Sequence, residues 1–292
     1  MISQCATAWL WSREDALEVV DVLFVDEAAQ MSLADVLAVS HACKTLVLLG
    51  DPQQLEQPIQ GSHPEGTASS ALDHILDGQA TIEEGRGLFL DETWRLHPDI
   101  CSFTSELFYG GRLHSTPGTE IQTINSKSRI NGAGLRFLPV KHQGNRNSSV
   151  EEADQIRDLV EEVLQAPSTW TYRDGKEKPL TLQDILIIAP YNAQLVELQA
   201  RLPGARIGTV DKFQGQEAAL VVYSMTTSSR EDAPHGMEFL YSLNRLNVAT
   251  SRAMCLCILV GSPALFEPDC RTPHQMQMAN AFCRFVEMAT VI

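Results

Sequence analysis

Two adjacent carboxylates, Asp26 and Glu27, directly follow four apolar residues, Val22 to Val25. A short apolar run is typical of a buried strand in a parallel sheet, and chemistry in such sheets lies at the carboxyl ends of the strands. One carboxylate could hold a Mg²⁺ ion through water while its neighbour orients or deprotonates an attacking water. A strand that ends in a solvated acidic turn explains the same pair, so the pair alone does not define a site.

A second polar segment follows the next apolar run. Thr45–Leu49 is predicted to be another short strand, and it leads into a turn that contains Asp51 and Gln54. The side-chain amide of Gln54 could hydrogen-bond a terminal phosphate. Because polar strand ends in one parallel sheet converge on a single crevice, we expect this turn to lie near Glu27. Taken alone, the segment is better explained as an ordinary Asp-Pro turn.

Two further pairs of residues offer chemistry for a nucleotide. In Trp94-Arg95, the indole provides a flat face for a purine base and the guanidinium provides a bidentate fork for phosphate. Arg245 and Arg252 lie seven residues apart on one predicted helix, close to two turns, so we expect them to face the same way and to suit a phosphate that gains negative charge. A core tryptophan beside a surface arginine, and a solvated basic helix face, remain the alternatives.

The run Gly208–Glu217 is the most distinctive stretch of the chain. A predicted strand leads into a turn with Gly215, which permits close backbone approach, and with the polar side chains of Gln214 and Glu217. Such a loop can present backbone amides to a nucleic-acid phosphate on one side and polar side chains to a nucleotide on the other.

Strands and helices are predicted to alternate around these residues, which is typical of an α/β protein with parallel sheets flanked by helices. The predicted strands are Ala6–Trp11, Val22–Val25, Thr45–Leu49, Leu88–Leu90, Leu135–Val140, Ile185–Ala189, Arg206–Val210, Leu220–Met225 and Leu256–Gly261. The predicted helices are Leu33–Ala42, Thr67–Leu76, Pro98–Tyr109, one behind a capping box of Ser149 and Glu152, Asn192–Leu202, Phe239–Ala253 and Gln275–Met288. Leu113–Gly134 and Ala166–Pro179 are predicted to be irregular, and the domain boundary is placed near Asp91–Thr93.

Composition bounds the class of protein. The 292 residues are 44% hydrophobic, enough for one large or two ordinary domains. A net charge of −15 disfavours a basic coat on DNA, but it allows a narrow nucleic-acid track of backbone amides, a few arginines and stacking rings. Seven scattered cysteines with no Cys-x-x-Cys pair give no support for a zinc ribbon and favour a reducing cytosol. No apolar run is long enough to span a membrane.

Six motifs follow one another along the chain: Asp26-Glu-Ala-Ala-Gln30, Gly50-Asp-x-x-Gln-Leu55, Trp94-Arg-Leu-His-Pro98, Ala189-Pro-Tyr-Asn-Ala-Gln194, Val210-Asp-Lys-Phe-Gln-Gly-Gln-Glu217 and Leu246-Asn-Val-Ala-Thr-Ser-Arg-Ala253. In this order they closely resemble the motifs of superfamily 1 helicases. The nearest branch is the Upf-like group, which includes the Dna-Nam type helicase–nucleases. The tail of the chain is similar to bacterial members that are fused to a RecB-like nuclease.

The resemblance implies tandem RecA-like domains that close on ATP. Residues 1–92 would form a first, incomplete domain, and residues 93–292 a second one. The implied activity is that of an ATP-dependent helicase, which uses Mg²⁺ and translocates 5′→3′ on single-stranded DNA or RNA. DNA repair and the cytoplasm are the expected setting.

The resemblance also implies roles for residues of the first domain. Asp26 would help to hold Mg²⁺, and Glu27 would activate the attacking water. Gln54 would contact the γ-phosphate, with Asp51 beside it in the nucleotide site.

In the second domain, Trp94 stands where the family commonly has a tyrosine that stacks on the base. Arg95 and Arg252 would contact phosphate, and Glu217 would reach the ribose. Arg245 and Gly215 are further candidates for nucleotide binding.

The remaining matched residues concern nucleic acid. Gln214 would couple the nucleotide state to the nucleic acid. Pro190, Tyr191 and Thr209 fall in segments that meet the nucleic-acid backbone in this family.

The P-loop motif Gly-x-x-x-x-Gly-Lys-[Ser/Thr] does not occur in these residues. That motif supplies the amide cradle and the lysine that hold the β- and γ-phosphates. We therefore expect the chain to be the carboxyl-terminal portion of a longer helicase, with the P-loop on an upstream segment or a partner chain. The alternative is a non-catalytic module that binds nucleic acid or a protein partner. No cluster of carboxylates and lysine supports a nuclease within these residues.

Overall fold

The computed structural model describes residues 17–55, 64 and 67–292, so the predicted strand Ala6–Trp11 lies outside the described residues. The chain divides into two compact units, Met1–Phe89 and Leu90–Ile292. Each unit contains parallel strands and helices, which confirms the predicted α/β class.

The first unit contains a strand–helix–strand arrangement. Its described elements are β1 (Val20–Val25), α1 (Leu33–Ser40), β2 (Cys43–Leu48) and α2 (Ala71–Leu76). The two strands pair in parallel, with Val25 opposite Leu48, as the sequence predicted. Helix α1 begins at a serine cap, because Ser32 Oγ accepts a hydrogen bond from the Asp35 backbone N–H at 3.0 Å.

Two expectations for strands in this unit and at its carboxyl end are wrong. Strand β1 is not buried on both faces: Val25 lies in the core, but the side chain of Phe24 is 63% exposed. The reason is that helices α1 and α2 cover the face of β1 that carries Leu23 and Val25, and successive side chains of a strand point to opposite faces. The predicted strand Leu88–Leu90 does not form either, and both of its leucines are exposed.

The second unit is built around a six-stranded parallel sheet. The described strands of the whole unit are β3 (Glu92–Thr93), β4 (His114–Ser115), β5 (Thr123–Asn125), β6 (Gly134–Pro139), β7 (Thr169–Thr171), β8 (Glu177–Pro179), β9 (Ile185–Ile188), β10 (Arg206–Gly208), β11 (Ala218–Ser224), β12 (Ala253–Gly261) and β13 (Thr290–Val291). The sheet has the order β10-β9-β11-β12-β6-β13, and every pairing in it is parallel. The central strands β11 and β12 are buried along their whole length.

Helices flank this sheet, as expected for a RecA-like domain. They are α3 (Pro98–Phe108), α4 (Val150–Gln165), α5 (Asn192–Arg201), α6 (Gly236–Leu240), α7 (Leu243–Ser251) and α8 (Pro273–Met288). The single predicted helix Phe239–Ala253 is two helices, because Ser242 caps a new one: its Oγ accepts from the Arg245 N–H at 3.4 Å. Among the described residues, no helix combines the length and apolarity needed to cross a membrane.

A small antiparallel sheet was not predicted. Strands β5, β7 and β8 pair in that order within the two segments that were expected to be irregular. Trp170 of β7 is 4% exposed and packs in the main core, which fixes the sheet to the domain. Strands of three residues are too short to show a periodic pattern.

The two ends of the parallel sheet position different sets of residues. At the amino end, where β11 and β12 begin, Ala218 lies opposite Ala253. At the carboxyl end, Gly208 of β10 lies level with Ile188 of β9. The segment 209–217 connects β10 to β11 and therefore runs from the carboxyl end of the sheet to the amino end.

Candidate functional site

Asp26 and Glu27 form a tight turn directly after β1. The Glu27 backbone N–H donates to Asp26 Oδ1 at 3.0 Å, and the Gln30 side-chain amide donates to Glu27 Oε2 at 3.1 Å. Glu27 has a φ of 53°, in the left-handed region that non-glycine residues rarely adopt. Backbone strain of this kind tends to cluster at functional sites.

Gly50 brings the end of β2 against this turn. The Leu49 N–H donates to Val25 O, and the Ala28 N–H donates to Leu49 O, each at 2.8 Å. A Cβ atom on Gly50 would lie 3.0 Å from the backbone nitrogen of Ala28, which leaves little room for a larger residue. The two polar turns that were predicted to converge are therefore side by side.

Asp51 organises the second turn. Its Oδ1 accepts from the Gln53 N–H at 3.0 Å, and its Oδ2 accepts from the Gln54 side-chain amide at 2.9 Å. The amide of Gln54 is thereby oriented at the same strand ends that carry Glu27.

The carboxylates of the first turn fit a magnesium ion that is shared with phosphate. Mg²⁺ prefers oxygen ligands and is usually held by one or two carboxylates together with water and substrate phosphates. The hydrogen bond to Glu27 uses Oδ1 of Asp26, so the second oxygen can face a ligand. Among the described residues, no group of three or more His, Cys, Asp or Glu side chains could hold a metal by itself.

In the second unit, Arg95 and Glu217 meet at the amino end of the sheet. Arg95 Nε donates to Glu217 Oε2 at 2.7 Å, and Arg95 Nη1 donates to the Ser251 carbonyl at 3.1 Å. The Gln122 amide donates to the Arg95 carbonyl at 2.7 Å and fixes the backbone there. The side chains of Arg95 and Glu217 are 30% and 44% exposed, so a ligand can reach this ion pair.

Arg252 directly follows Ser251, whose carbonyl accepts the hydrogen bond from Arg95. It is 3% exposed, its Nε donates to Val248 O at 3.2 Å, and its Nη1 donates to Gln216 O at 3.5 Å. A guanidinium stays charged even when it is buried. The two predicted phosphate arginines therefore bind two neighbouring backbone segments, one at Ser251 and one at Gln216.

Side chains at its two ends anchor the loop that carries Gln214 and Gly215. Gly215 has a φ of 73°, a conformation that favours glycine. The Gln216 amide donates to Lys212 O at 3.0 Å, and Arg206 Nη2 donates to Gln216 Oε1 at 2.8 Å. The loop is thus a defined turn that ends at Glu217.

Arg245 has a different neighbourhood from Arg252. Its guanidinium lies 3.8 Å from the centroid of the Phe239 ring, and its Nη1 donates to Phe239 O at 3.3 Å. Phe239 in turn stacks on Tyr191, with ring centroids 5.4 Å apart. The two arginines that were predicted to face one phosphate therefore contact different elements.

Pro190, Tyr191 and Thr209 lie just beyond the carboxyl ends of the neighbouring strands β9 and β10. Pro190 and Thr209 are half-buried, whereas Tyr191 is 5% exposed. Burial raises the pKa of the Tyr191 hydroxyl. These three candidates are therefore at the opposite end of the sheet from Arg95 and Glu217.

The spacing of Ser149 and Glu152 predicted a capping box, but the Glu152 side chain is the centre of a buried network. Ser149 Oγ accepts from the Glu152 N–H at 3.1 Å, which is half of a capping box. The second half, a hydrogen bond from the Ser149 N–H to the Glu152 carboxylate, is not made. That carboxylate instead accepts from the Thr226 N–H at 2.8 Å and lies 2.9 Å from His142 Nε2. Thr226 has a φ of 71°, so this carboxylate holds a strained loop at the carboxyl end of β11. No local pattern could have revealed partners this distant.

The second unit, with polar residues at both ends of its parallel sheet, has the fold of a RecA-like α/β domain. The family described as AAA domain matches residues 69–264, and the chain belongs to that family.

Curated relatives are helicases. The chain is 29% identical over 248 residues to DNA replication ATP-dependent helicase/nuclease DNA2 of Gallus gallus, with 82% of this chain and 23% of that protein covered. It is 27% identical over 252 residues to Helicase SEN1 of Saccharomyces cerevisiae, with 80% of this chain and 11% of that protein covered. The chain thus spans a minor part of these relatives, and the matches support a superfamily 1 helicase-like domain.

Solved structures of helicases are similar as well. Arterivirus nonstructural protein 10 (helicase) in complex with DNA is 16% identical, with a TM-score of 0.42, and 84% of this chain and 40% of that chain are covered.

Proposed function

We propose that this chain is the carboxyl-terminal portion of an ATP-dependent helicase motor that translocates on single-stranded nucleic acid. The observation that carries the proposal is the junction of Arg95, Glu217 and the Ser251–Arg252 segment at the amino end of the sheet, directly after Trp94. A ring for a base, a carboxylate for a ribose and two guanidinium groups for phosphate lie on adjoining segments. This set matches the parts of a nucleoside triphosphate.

The first unit is proposed to act at the γ-phosphate. Asp26 would hold Mg²⁺, which supplies charge neutralisation between phosphate oxygens when it is bound. Glu27 accepts the proton of the attacking water, with its carboxylate held by Gln30, and Gln54 hydrogen-bonds the terminal phosphate. Residues 1–92 and 93–292 are proposed to be the two RecA-like domains.

In the second unit, Arg95 and Arg252 are proposed to stabilise charge on the phosphates. Such an arginine is worth roughly 10³–10⁵ in the rate of phosphoryl transfer. Glu217 hydrogen-bonds the ribose, and Gly215 lets the loop backbone approach the nucleotide. Arg95 exchanges its hydrogen bond to Glu217 for one to phosphate when the nucleotide enters.

Coupling to nucleic acid is proposed to run through segment 209–217. Thr209, with Pro190 and Tyr191, contacts the sugar–phosphate backbone at the carboxyl end of the sheet. Gln214 and Glu217 respond to the nucleotide at the amino end. Because this one short segment spans both ends of the sheet, closure around the nucleotide shifts Thr209 relative to the bound nucleic-acid strand.

Further parts of the proposal rest on the motif resemblance. They are 5′→3′ polarity, membership of the Upf-like and Dna-Nam type branch, and a P-loop supplied by an upstream segment or a partner chain. A RecB-like nuclease domain as partner, a role in DNA repair and a cytoplasmic location remain predictions.

The test is ATP turnover, measured for the 292-residue chain alone and for the same chain joined to a segment that carries the P-loop. We expect little or no turnover by the chain alone. The joined protein should hydrolyse ATP faster with single-stranded DNA, and Glu27→Gln should abolish that turnover. Wild-type turnover by joined Glu27→Gln would exclude Glu27 as the base.

A second candidate function is a non-catalytic module that binds nucleic acid or a protein partner. It becomes the better explanation if neither an upstream segment nor a partner chain carries the P-loop. Binding of a fluorescent single-stranded oligonucleotide to the 292-residue chain without nucleotide, together with a joined protein that stays inactive, would support this candidate over the motor.

A further inference from the structure

One face of the exposed Trp94 ring is already covered by a cation. The guanidinium carbon of Arg173 lies 5.0 Å from the centroid of the Trp94 ring, and Arg173 Nη1 donates to the Trp94 carbonyl at 3.3 Å. The Trp94 side chain is nevertheless 61% exposed. Arg173 therefore holds both the ring and the backbone of Trp94, and much of the ring remains open.

Arg173 lies in a fixed turn between β7 and β8. The Tyr172 N–H donates to Lys176 O at 3.0 Å, and the Gly175 N–H donates to Tyr172 O at 2.8 Å. A Cβ atom on Gly118, which has a φ of 97°, would come within 3.1 Å of the Arg173 carbonyl oxygen. The turn thus packs closely against the loop at Gly118, so the backbone of Arg173 is held in place.

Aromatic rings and cations alternate along this hairpin. Lys178 Nζ lies 5.2 Å from the ring centroid of Trp170, which is itself anchored in the core, and Arg173 also lies over Tyr172 at 5.6 Å. Within the part of the chain that the structure describes, no carboxylate lies within ion-pair distance of Arg173. The charge of Arg173 is therefore directed at rings and not at an acid.

We propose that Arg173 is a positioning residue for a nucleobase: it fixes the Trp94 ring from one face so that the opposite face receives the base of a purine nucleotide. This inference rests on the proposed function, in which the nucleotide lies beside Arg95 and Glu217. A ring that is ordered before binding loses less conformational freedom when the base stacks on it. The antiparallel sheet β5–β7–β8 thereby gains a role in nucleotide affinity.

The first experiment measures the dissociation constant of unmodified ADP for the 292-residue chain by isothermal titration calorimetry. Arg173→Ala should weaken binding about two- to fivefold, the size expected for an exposed cation–π contact. Arg173→Lys should fall between wild type and Arg173→Ala. In a Trp94→Ala background, Arg173→Ala should have no further effect, because the two residues act as one unit.

Lys176→Ala provides the matched control. Lys176 lies in the same turn and carries the same charge, but its Nζ is held by Asp174 Oδ2 at 2.7 Å. This variant should bind the nucleotide as wild type does.

The second readout needs no nucleotide. The difference in fluorescence between wild type and Trp94→Phe isolates the emission of Trp94. Arg173→Ala should lower the anisotropy of that emission and increase its quenching by acrylamide, whereas a purely structural role of Arg173 would leave both unchanged.

The binding and fluorescence results distinguish a failure of the positioning role from a failure of the nucleotide site. If wild type binds the nucleotide and Arg173→Ala binds equally well with unchanged anisotropy, the positioning role is overturned and the nucleotide site stands. If wild type does not bind, the nucleotide site of this chain is overturned, and the inference falls with it.

Discussion

Arg95 and Glu217 are separated by 122 residues in sequence, yet Arg95 Nε lies 2.7 Å from Glu217 Oε2. One of the groups proposed to bind phosphate is therefore paired with the group proposed to bind ribose. The pair is partly exposed, and exposed ion pairs are worth only about 0.2–1 kcal/mol. A nucleotide can open it at low cost.

This pairing predicts that Glu217→Gln has opposite effects on two ligands. Tripolyphosphate, which has no ribose, should bind about two- to fivefold more tightly because Arg95 loses a competing carboxylate. ATP should bind more weakly than to wild type because the carboxylate contact to the ribose is lost. Isothermal titration of both ligands measures the two changes.

Glu177→Gln is the charge-matched control for this prediction. Glu177 is an exposed residue of β8 whose carboxylate accepts a hydrogen bond from Thr169. Its neutralisation should leave both affinities near wild type. Parallel changes for tripolyphosphate and ATP in Glu217→Gln would contradict the competition between Arg95 and its carboxylate partner.

The buried network around Glu152 gives a prediction about stability. Each buried donor that is left without its acceptor costs about 1–3 kcal/mol, because it has no water to replace the lost hydrogen bond. Glu152→Ala leaves several such donors and should therefore lower the free energy of unfolding by at least about that amount. His142→Ala should cost less, since the carboxylate keeps the Thr226 N–H and the Ser224 hydroxyl as donors.

Denaturant unfolding of the chain measures these losses. Glu151→Ala is the neighbouring control, because Glu151 is exposed and its carboxylate accepts from the Asn145 amide at 2.7 Å. Its loss should cost less than about 1 kcal/mol. Equal losses in Glu151→Ala and Glu152→Ala would show that the buried network does not stabilise the domain.

The fold could be predicted from the sequence where a pattern was long and local. The apolar runs of β9, β11 and β12 identified the parallel sheet because fully buried strands carry apolar residues on both faces. The break at Ser242 was missed, because a serine within a helical pattern caps a new helix only where the backbone leaves the helical conformation, and the pattern does not show that.

The candidate site could be proposed from the sequence as a set of residue types but not as a set of contacts. The motif residues Arg95 and Glu217 were both identified, yet their ion pair joins segments that are far apart in sequence. No sequence pattern marked Arg173, because its proposed role depends on its packing against Trp94. The role of Glu152 was likewise hidden behind a cap signature that half fits the structure.

Alkaline pH should destabilise the fold through its buried thiols. Burial raises the pKa of Cys255 and of Cys257 to about 12, from an ordinary value near 9. Above pH 9 the unfolded chain releases these protons and the folded chain keeps them, so the unfolded state binds fewer protons and stability falls as pH rises. The loss begins at the unfolded value and continues until pH reaches the folded value.

Denaturant unfolding between pH 8 and pH 10.5 measures this loss. Cys255→Ala combined with Cys257→Ala should make the pH dependence shallower, although it lowers stability at pH 8 through lost packing. Burial also raises the pKa of Tyr223, so some dependence should persist in the double variant. An unchanged slope would contradict the contribution of the two thiols.

The strained backbone of Glu27 predicts a conflict between stability and turnover. A non-glycine residue at a φ of 53° costs of order 1 kcal/mol or more, and glycine adopts that conformation without this cost. Glu27→Gly should therefore stabilise the first unit by up to about 1 kcal/mol while it abolishes ATP turnover in the protein that carries the P-loop segment. Hydrogen exchange at the amides of β1 and β2 reports the stability, and phosphate release reports the turnover.

Glu27→Gln separates the two effects. It keeps a side chain with the same strain, so hydrogen exchange should match wild type, but it removes the carboxylate, so turnover should still be lost. If Glu27→Gly left exchange unchanged, the strain at this turn would be offset by local relaxation. If Glu27→Gly kept turnover, the carboxylate would not be the base, and the left-handed conformation would have a purely structural origin in the close approach of Gly50 to Ala28.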